Sequence, residues 1–446
     1  MSIIKVDQVS SKLIKPMYDD GSDEDHNLTN NQFVPLTVFD KLAEDEHVSI
    51  LYAYRPPNPS NTLLEEGLRK ALSEYPEWAG RFSTDDCGRR LILLNDEGMR
   101  FIEASADCTL GGAMPFKTST LSSLNPSYKG IEELALVQLT RFTCGSLVIS
   151  FSSNHMVADG LFVSRFMVAW GQACRGVDIH PRPSHNRSIF SPRVPSCVKF
   201  DHMTAEIAKR DVIQKFVRPP YSGDDVIQHK VHFTPEFTAK LKSKASSSLS
   251  GIVTGEQRPY STFVSLAAHL WRTITKVRGL AEFQKTEMRI SVNGRRRMKP
   301  RVPDEFFGNL VLWANPEAQA KDILDEPLSG TAEMIHEAVG KVNDDYFKSY
   351  IDFANYNIQE EDFIPRKKVY VPSWWPNVEV DCWLGFPFGE FDFGVGKPCV
   401  FMPLFHNWEG VIYLLPSFGG DGGIDVHISL FQQQLDLFER LCYSID

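Results

Sequence analysis

The sequence predicts a mixed α/β protein with two domains. Its 446 residues are too many for one ordinary hydrophobic core and suit two domains of roughly 200 residues each. Helix-like and β-rich segments are mixed in both halves of the chain, which is typical of layered α/β folds. The stretch at 181–195 is rich in Pro, Ser, Arg and His and predicts an exposed loop. We therefore expect an N-terminal domain at 1–196, a crossover linker at 197–228 and a C-terminal domain at 229–446.

The N-terminal half predicts strands followed by helices. Residues 48–54 are β-rich and end at a Pro-rich stretch, so they predict a strand. A helix with an apolar stripe of helical period follows, and Pro76 ends it. Residues 134–142 and 146–152 predict an antiparallel pair of strands, and a helix is predicted at 160–173.

The C-terminal half mixes the same two kinds of element. Helices are predicted at 235–246, 261–277 and 323–343. Strands are predicted at 288–292, 378–382, 411–415 and 424–430. The glycine-rich run at 419–423 lies between the last two strands and predicts a hairpin turn.

Composition and charge exclude several functional classes. Hydrophobic residues make up 42% and charged residues 23% of the chain, which is ordinary for a globular protein. No apolar run approaches the ~20 residues that a membrane helix needs, and the N-terminus lacks the apolar core of a secretory signal. The net charge of −10 argues against nucleic acid, because binding to it rests on basic patches. We expect a soluble, cytoplasmic monomer that binds neither nucleic acid nor membranes.

The 8 cysteines are scattered along the chain and form no C-x-x-C pair. This spacing favours neither a zinc site nor a disulfide framework. We therefore expect reduced, mostly buried thiols and no metal.

Two short motifs, far apart in the chain, carry the chemistry. One is HMVADG at 155–160 and the other is DFGVGKP at 392–398. His155 follows a predicted buried strand and precedes a helix, where rigid elements hold a side chain on both sides. Histidine accepts and returns protons near neutral pH, as a general base must. An H-x-x-x-D match alone is weak, since a structural histidine hydrogen-bonded at a strand end also explains it.

The full set of motifs resembles the BAHD acyltransferase family of plants, whose signatures are H-x-x-x-D-G and D-F-G-W-G. The further matching segments are LSEYP at 72–76, AGR at 79–81, YSTF at 260–263, AHLWR at 268–272, VNGR at 292–295 and FGN at 307–309. The resemblance covers nearly the whole chain. It implies two similar chloramphenicol-acetyltransferase-like domains joined by a crossover loop, with an active-site tunnel between them.

By this resemblance, His155 is the general base. Asp159 is similar to a family aspartate that faces away from the substrate and fixes the local structure by pairing with arginine. Asp392 is a structural residue of the same kind, and Arg295 is its expected partner. Gly394 is one of the glycines after Asp392 that let the backbone approach closely, because glycine has no Cβ.

The second motif departs from the family at Val395, where tryptophan is usual. The loss of a large ring should loosen the packing behind the loop, but it removes no catalytic group. Asp-Phe-Gly also occurs in protein kinases. The Gly-rich loop, the V-A-I-K lysine and the H-R-D loop that a kinase needs are absent from the sequence.

The segment EVDCW at 379–383 indicates the acceptor. Strand residues two apart share a face, so Glu379, Asp381 and Trp383 are expected on one face. By the resemblance this segment lines the active site, where the Trp383 indole N–H would suit the oxyanion of a tetrahedral intermediate. Asp381 replaces the usual threonine, and with Glu379 it would offer two carboxylates to a cationic acceptor. The alternative is a strand edge with solvated acids.

The resemblance implies acyl transfer from a coenzyme A thioester, which acts as a co-substrate and not as a permanently bound cofactor. The segments VPLTVFD at 34–40 and EWAGR at 77–81 also resemble the branch of agmatine and putrescine hydroxycinnamoyltransferases. We therefore expect a hydroxycinnamoyl or related aromatic acyl group to be transferred to an amine such as agmatine or putrescine, in phenolamide biosynthesis. Ser261 and Thr262 are the expected contacts for coenzyme A, from family position alone.

Three alternatives stay open on the sequence. The chain could be an O-acyltransferase of the same family that acts on an alcohol, or a non-catalytic homologue that acts by binding. It could also be a carrier-protein-dependent condensation domain, which shares H-x-x-x-D-G. Such domains usually have two adjacent histidines, whereas Asn154 precedes His155 here.

Overall fold

The computed structural model describes residues 4–18, 32–116, 118–203, 205–209, 226–248, 258–357, 363–366, 374–404 and 408–445. Within these ranges the chain is a mixed α/β protein, as predicted. Residues 204 and 210–225 of the predicted linker lie outside the described residues. None of the described helices is long and apolar enough to cross a membrane.

The described strands and helices are numbered in chain order. Strands β1 to β18 are Val6–Ile14, Gln32–Pro35, His47–Tyr54, Arg81–Thr84, Arg90–Leu94, Met99–Ala106, Ala135–Phe142, Leu147–Asn154, Ile207–Lys209, Val226–Phe233, Lys285–Asn293, Val311–Ala314, Glu317–Gln319, Phe363–Pro365, Val378–Cys382, Val400–Leu404, Val411–Pro416 and Ile424–Phe431. Helices α1 to α10 are Asn61–Glu74, Leu110–Ala113, Thr118–Leu124, Gly160–Cys174, Pro235–Ala245, Thr262–Arg278, Ala320–Asp325, Leu328–Lys341, Asp344–Asn357 and Gln432–Leu441.

The long helix predicted at 323–343 is wrong, because the chain forms two helices there, α7 and α8. Pro327 lies between them with extended backbone and precedes the first residue of α8. Glu326, which ends α7, is also extended, with ψ near 149°. A proline disfavours helical backbone in the residue before it and lacks the N–H that a continuous helix would use.

The chain divides into two compact units. The first comprises 1–190, 303–310 and 386–405, and the second comprises 191–302, 311–385 and 406–446. The predicted boundary at 196 lies close to the observed division at 190. The prediction that the DFGVGKP loop belongs to the C-terminal domain is wrong, since the loop lies in the first unit. The reason is strand pairing: β16, which follows the loop, pairs antiparallel with β3.

The first unit is built on a six-stranded sheet with the order β1-β6-β7-β8-β3-β16. β7 and β8 form the predicted antiparallel pair, and every residue of β8 is buried. Helix α4 packs against α1, and the Trp170 indole N–H of α4 donates to the Leu64 carbonyl of α1 at 2.8 Å. A buried strand and a packed helix therefore fix both sides of the HMVADG motif.

The second unit is built on a sheet with the strand order β10-β18-β17-β15-β11-β12. β15 lies inside this sheet, parallel to β11 on one side and to β17 on the other. β17 and β18 pair antiparallel across the glycine-rich turn, which confirms that prediction. The predicted acceptor strand is therefore an interior strand, and the alternative of a strand edge with solvated acids is wrong.

His427 is a buried histidine of β18, with 2% of its surface exposed. Burial lowers its pKa to about 4, because the apolar interior disfavours the imidazolium and Lys230 adds charge repulsion that Asp425 only partly offsets. Its Nδ1 atom has no hydrogen-bond partner within the part of the chain that is described. Protonation therefore introduces an uncompensated charge into the sheet.

We expect His427 to make the protein labile in acid. The folded pKa of about 4 lies below the ordinary value of 6.5, so the unfolded chain binds more protons between these values. Stability is then full above about pH 6.5 and decreases as the pH falls, by about 3 kcal/mol at pH 4. Urea unfolding of wild type and His427→Gln at pH 7.5 and pH 5 measures the effect. Between pH 7.5 and pH 5, His427→Gln should lose less stability than wild type. His180→Gln, at an exposed position, is the control and should lose as much as wild type. Equal losses in all three proteins would contradict the assignment.

Candidate functional site

His155 lies between β8 and α4, with its main chain held by two hydrogen bonds. Its backbone N–H donates to the Glu46 carbonyl at 2.9 Å, and its carbonyl accepts from Asn309 Nδ2 at 2.9 Å. The side chain is partly exposed. Its Nδ1 atom is buried and has no hydrogen-bond partner among the described residues. These contacts hold the main chain of His155 in place at the junction of β8 and α4.

Asp159 is buried and accepts hydrogen bonds from two backbone N–H groups, and its expected pairing with arginine stays a prediction. Its Oδ1 atom caps helix α4 by accepting from the Phe162 N–H at 3.1 Å. Its Oδ2 atom accepts from the Leu310 N–H at 3.1 Å. An aspartate at this position satisfies an N–H that the first turn of the helix leaves open. Asp159 therefore ties the start of the helix to the segment at 303–310.

Asp40 is a positioning residue that sequence reasoning missed. Its carboxylate is fully buried, and its Oδ2 atom accepts a hydrogen bond from Arg187 Nη1 at 2.6 Å. Its other oxygen accepts from Asn309 twice, from the backbone N–H at 2.9 Å and from Nδ2 at 3.0 Å. Since the same Asn309 amide group contacts the His155 carbonyl, Asp40 is connected to the main chain of His155 through one intermediate residue. The only available signal was that 34–40 and 307–309 both match family segments.

The Asp392 loop is held by its own aspartate. Oδ1 of Asp392 accepts from three successive backbone N–H groups, at 2.8 Å from Gly394, 3.0 Å from Val395 and 2.8 Å from Gly396. The two glycines have φ values of +93° and +96°, a region that residues with a Cβ rarely adopt. The carboxylate of Asp392 and the conformations of Gly394 and Gly396 therefore shape this loop.

Aromatic residues anchor this loop to the first unit. Phe391 and Phe393 contact each other with ring centroids 4.3 Å apart, and both rings also contact Trp170. The Tyr54 hydroxyl donates to the Phe391 carbonyl at 2.6 Å. Val395, in contrast, is 38% exposed. The expectation of looser packing behind the loop does not hold, because position 395 faces outward and the two phenylalanines fill the interior.

Helix α4 touches the Asp392 backbone directly at Gly171. A Cβ atom added at Gly171 would lie 2.6 Å from the Asp392 carbonyl oxygen, which is closer than real Cβ atoms approach. The same carbonyl accepts a hydrogen bond from the Arg175 guanidinium. Helix α4 therefore begins next to His155 and seats the Asp392 loop near its other end.

Glu379, in the second unit, is not a separate carboxylate for an acceptor. The parallel register places Arg289 of β11 opposite Glu379 of β15, and the two side chains form an ion pair at 3.6 Å. Both are buried, with 1% and 3% of the side chains exposed. Burial lowers the pKa of Arg289 from its ordinary high value, while Glu379 opposes that change. The expectation of two carboxylates available to a substrate is therefore corrected to one.

Asp381 is the carboxylate that stays available. It lies two residues beyond Glu379 on the same strand face, opposite Tyr413 of β17. Its side chain is half-buried, and it forms no hydrogen bond or ion pair with any residue that the structure describes. Trp383 follows at the end of β15, buried, with its ring 5.0 Å from that of Tyr413. One half-buried acid and one indole thus stand together beside an aromatic ring.

Arg295 is fully buried at the end of β11. Its backbone N–H donates to Asn293 Oδ1 at 2.9 Å, and its carbonyl accepts from the Val302 N–H at 3.1 Å. Arg295 belongs to the second unit and Asp392 to the first. Their expected pairing stays a prediction.

Ser261 and Thr262 are at the N-terminus of helix α6. The Ser261 hydroxyl caps the helix by accepting from the Val264 N–H at 3.2 Å, and Thr262 is the first helical residue. Ser261 is exposed. A helix N-terminus presents N–H groups and a partial positive charge, which suits a phosphate or pyrophosphate. The position is thus chemically suited to coenzyme A, and the contact itself stays a prediction.

The predicted site residues divide between the two units. The first unit brings together the residues of the two motifs, which are His155, Asp159, Asp392 and Gly394. The second unit carries the residues predicted for acceptor and coenzyme A binding and the predicted arginine, which are Glu379, Asp381, Trp383, Ser261, Thr262 and Arg295.

Sequence comparison gives a match over almost the whole chain. The model of the Transferase family matches residues 4–444. Agmatine hydroxycinnamoyltransferase 1 of Oryza sativa subsp. japonica is 45% identical, with 99% of each chain covered. Agmatine coumaroyltransferase-1 of Hordeum vulgare is 44% identical, covering 99% of this chain and all of the relative. Putrescine hydroxycinnamoyltransferase 3 of Oryza sativa subsp. japonica is 39% identical with the same coverage.

Comparison with solved structures places the fold. Vinorine synthase superposes with a TM-score of 0.71 at 19% identity, covering 97% of this chain and 96% of that chain. F. graminearum TRI101, crystallised with coenzyme A and deoxynivalenol, superposes with a TM-score of 0.75 at 18% identity, covering 91% of this chain and 96% of that chain. At this identity the match shows a shared fold.

We expect Gly171→Ala to displace the Asp392 loop, because the added methyl group would overlap the Asp392 carbonyl. Overpacking of this kind costs about 1–3 kcal/mol, which thermal unfolding would detect as a lower Tm. Gly340→Ala is the matched control, since its Cβ would meet no atom within 4 Å and alanine favours the helix by up to about 1 kcal/mol. Equal Tm values for the two variants would show that the contact has no energetic consequence.

Proposed function

The chain belongs to the Transferase family, the BAHD acyltransferases, and on that basis we propose that it is a coenzyme A-dependent N-acyltransferase. The donor is a hydroxycinnamoyl-CoA or a related aromatic acyl-CoA thioester. The acceptor is an amine such as agmatine or putrescine, and the product is a phenolamide. The names of the similar rice and barley enzymes support this choice of donor and acceptor.

Asp381 is the observation that carries the choice of an amine. It is a half-buried carboxylate on an interior strand, without a hydrogen bond or ion pair among the described residues. A carboxylate in such a place is stabilised by a cation that donates hydrogen bonds. The distal ammonium of putrescine and the guanidinium of agmatine are cations of this kind. An uncharged alcohol acceptor would leave the carboxylate without a counter-charge.

His155 is assigned as the general base. The reacting nitrogen of the amine attacks the thioester carbonyl, and His155 takes a proton from it as the C–N bond forms. The tetrahedral intermediate then collapses, the C–S bond breaks, and the imidazolium returns the proton to the departing thiolate. The base activates the acceptor directly, so the reaction passes through no acyl-enzyme.

Two further roles complete the proposal. The Trp383 indole N–H is assigned to the oxyanion of the intermediate, where a donor is worth most because the charge develops there. Ser261 and Thr262 are assigned to the phosphate-bearing part of coenzyme A at the N-terminus of α6. We also propose that the enzyme is a cytoplasmic monomer.

A matrix of donors and acceptors tests the proposed function. Purified enzyme is incubated with p-coumaroyl-, feruloyl- or benzoyl-CoA and with agmatine, putrescine, tryptamine, spermidine or shikimate, and free thiol and product mass are followed. We expect turnover with a hydroxycinnamoyl-CoA and a diamine or agmatine. Turnover with shikimate alone would identify an O-acyltransferase. Absence of thiol release with every acceptor would identify a non-catalytic homologue.

We expect His155→Ala to lower kcat by roughly 10²–10⁴-fold, which is the usual contribution of a general base. Steady-state kinetics with the best donor and acceptor pair measures the effect. His180→Ala, at an exposed position of the same unit, is the control and should keep wild-type turnover. Near-normal activity of a folded His155→Ala protein would overturn the assignment.

We expect Ser261→Ala to raise the KM for acyl-CoA by roughly 3- to 10-fold, the value of one hydrogen bond. Ser60→Ala is the matched control, because Ser60 caps α1 by accepting from the Leu63 N–H at the same 3.2 Å. Each substitution removes a helix cap and should cost about 1 kcal/mol of stability. If both variants change the KM for acyl-CoA equally, Ser261 has only its capping role.

A further inference from the structure

We infer that Arg289 determines which carboxylate of the acceptor strand receives the cationic group of the amine. Arg289 neutralises Glu379 inside the second unit and leaves Asp381 for the substrate. Arg289 is thus a positioning residue that acts through Glu379. The inference rests on the proposed function and extends it from an acceptor class to the single acid that recognises that class.

The surroundings of Arg289 hold its guanidinium in one place. The guanidinium carbon lies 3.9 Å from the ring centre of Trp313 and 5.8 Å from that of Trp374. Nη1 donates to the Ala205 carbonyl at 3.3 Å. Arginine stacks well on aromatic faces and stays charged when buried. The cation that faces Glu379 is therefore fixed by three different neighbours and is not a mobile surface group.

The register of the sheet explains why Glu379 and Asp381 differ although they share a face. Arg289 lies directly opposite Glu379 in the parallel pair of β11 and β15. Asp381 lies one pleat further along β15 and faces Tyr413 on β17. A buried carboxylate requires a counter-charge, and Glu379 has one within the protein. Asp381 has no ion-pair partner in the described part of the chain, so the substrate can supply its counter-charge.

The wider cluster around Arg289 supports the same division. Arg366 binds the buried Glu287 at 2.7 Å, and Tyr346 donates to the fully buried Glu206 at 3.0 Å. The acids on this side of the sheet thus have partners inside the unit. If Glu379 bound the amine directly, Arg289 would repel the incoming cation. With Glu379 neutralised by Arg289, the strand presents one negative charge to the acceptor.

Putrescine and butylamine separate the distal charge from the rest of the acceptor, because butylamine lacks only the second ammonium. Kinetics with both amines are measured for wild type, Asp381→Asn, Arg289→Met, Glu379→Gln and the double variant Arg289→Met/Glu379→Gln. The double variant removes both charges of the ion pair, so the summed charge of positions 289 and 379 stays zero. The thermal unfolding of each protein is recorded to separate folding defects from changes in recognition.

We expect each single variant of the ion pair to have a lower Tm, because each leaves a buried charge without its partner. The double variant should regain most of the Tm that Arg289→Met loses. It should also keep the preference for putrescine over butylamine, with a putrescine KM within about 3-fold of wild type. Asp381→Asn should raise the putrescine KM by at least about 10-fold, change the butylamine KM little, and so abolish the preference.

Two results would overturn the inference alone. One is a folded double variant that loses the preference for putrescine as fully as Asp381→Asn does, since Glu379 would then bind the amine. The other is an Asp381→Asn protein that keeps the preference. Wild-type enzyme that acylates no amine would instead overturn the proposed function, and this inference with it.

Discussion

The buried carboxylate of Asp40 is the constraint on which the His155 region depends. A charged group without water costs several kcal/mol unless it is paired and hydrogen-bonded. Arg187 supplies the charge, and Asn309 supplies two donors. These residues come from distant parts of the sequence, so the segments must meet for the carboxylate to be satisfied. Asn309 then extends this order to the His155 carbonyl, so the main chain of the proposed base is held in place.

In the second unit, two acids of strand β15 differ in how their charge is balanced. At Glu379 the counter-charge is built into the protein as Arg289. At Asp381, two residues further, the described residues supply none. A carboxylate that is paired within the protein contributes rigidity, whereas a carboxylate that lacks a counter-charge can bind a cationic ligand. Strand β15 therefore combines, within five residues, an acid whose counter-charge lies inside the protein and an acid that we propose binds the cation of the substrate.

Local patterns predicted the strands at the centre of both sheets, which are β3, β7 and β8 in the first unit and β11, β15, β17 and β18 in the second. Non-local contacts account for the roles of individual site residues that were missed. The limits of β15 and the helix that begins at Gly160 follow from residues that are neighbours in sequence. The role of Glu379 depends on which residue of β11 lies opposite it. The register between distant parallel strands cannot be read from the sequence of either strand. The Asp40 contacts are similarly long-range. The break at Pro327 was locally encoded and follows from the proline itself.

The placement of β16 has a consequence for how the protein is made. The outermost strand beside β3 comes from residues 400–404, near the end of the chain, although the rest of the sheet of the first unit comes from the first 154 residues. During synthesis, the ribosome delivers β3 long before its partner, so the edge of this sheet stays open until residues 400–404 have been made. An open edge can pair with other chains. Loss of residues 400–404 would therefore destabilise the first unit, and a chaperone that covers this edge would protect the nascent protein.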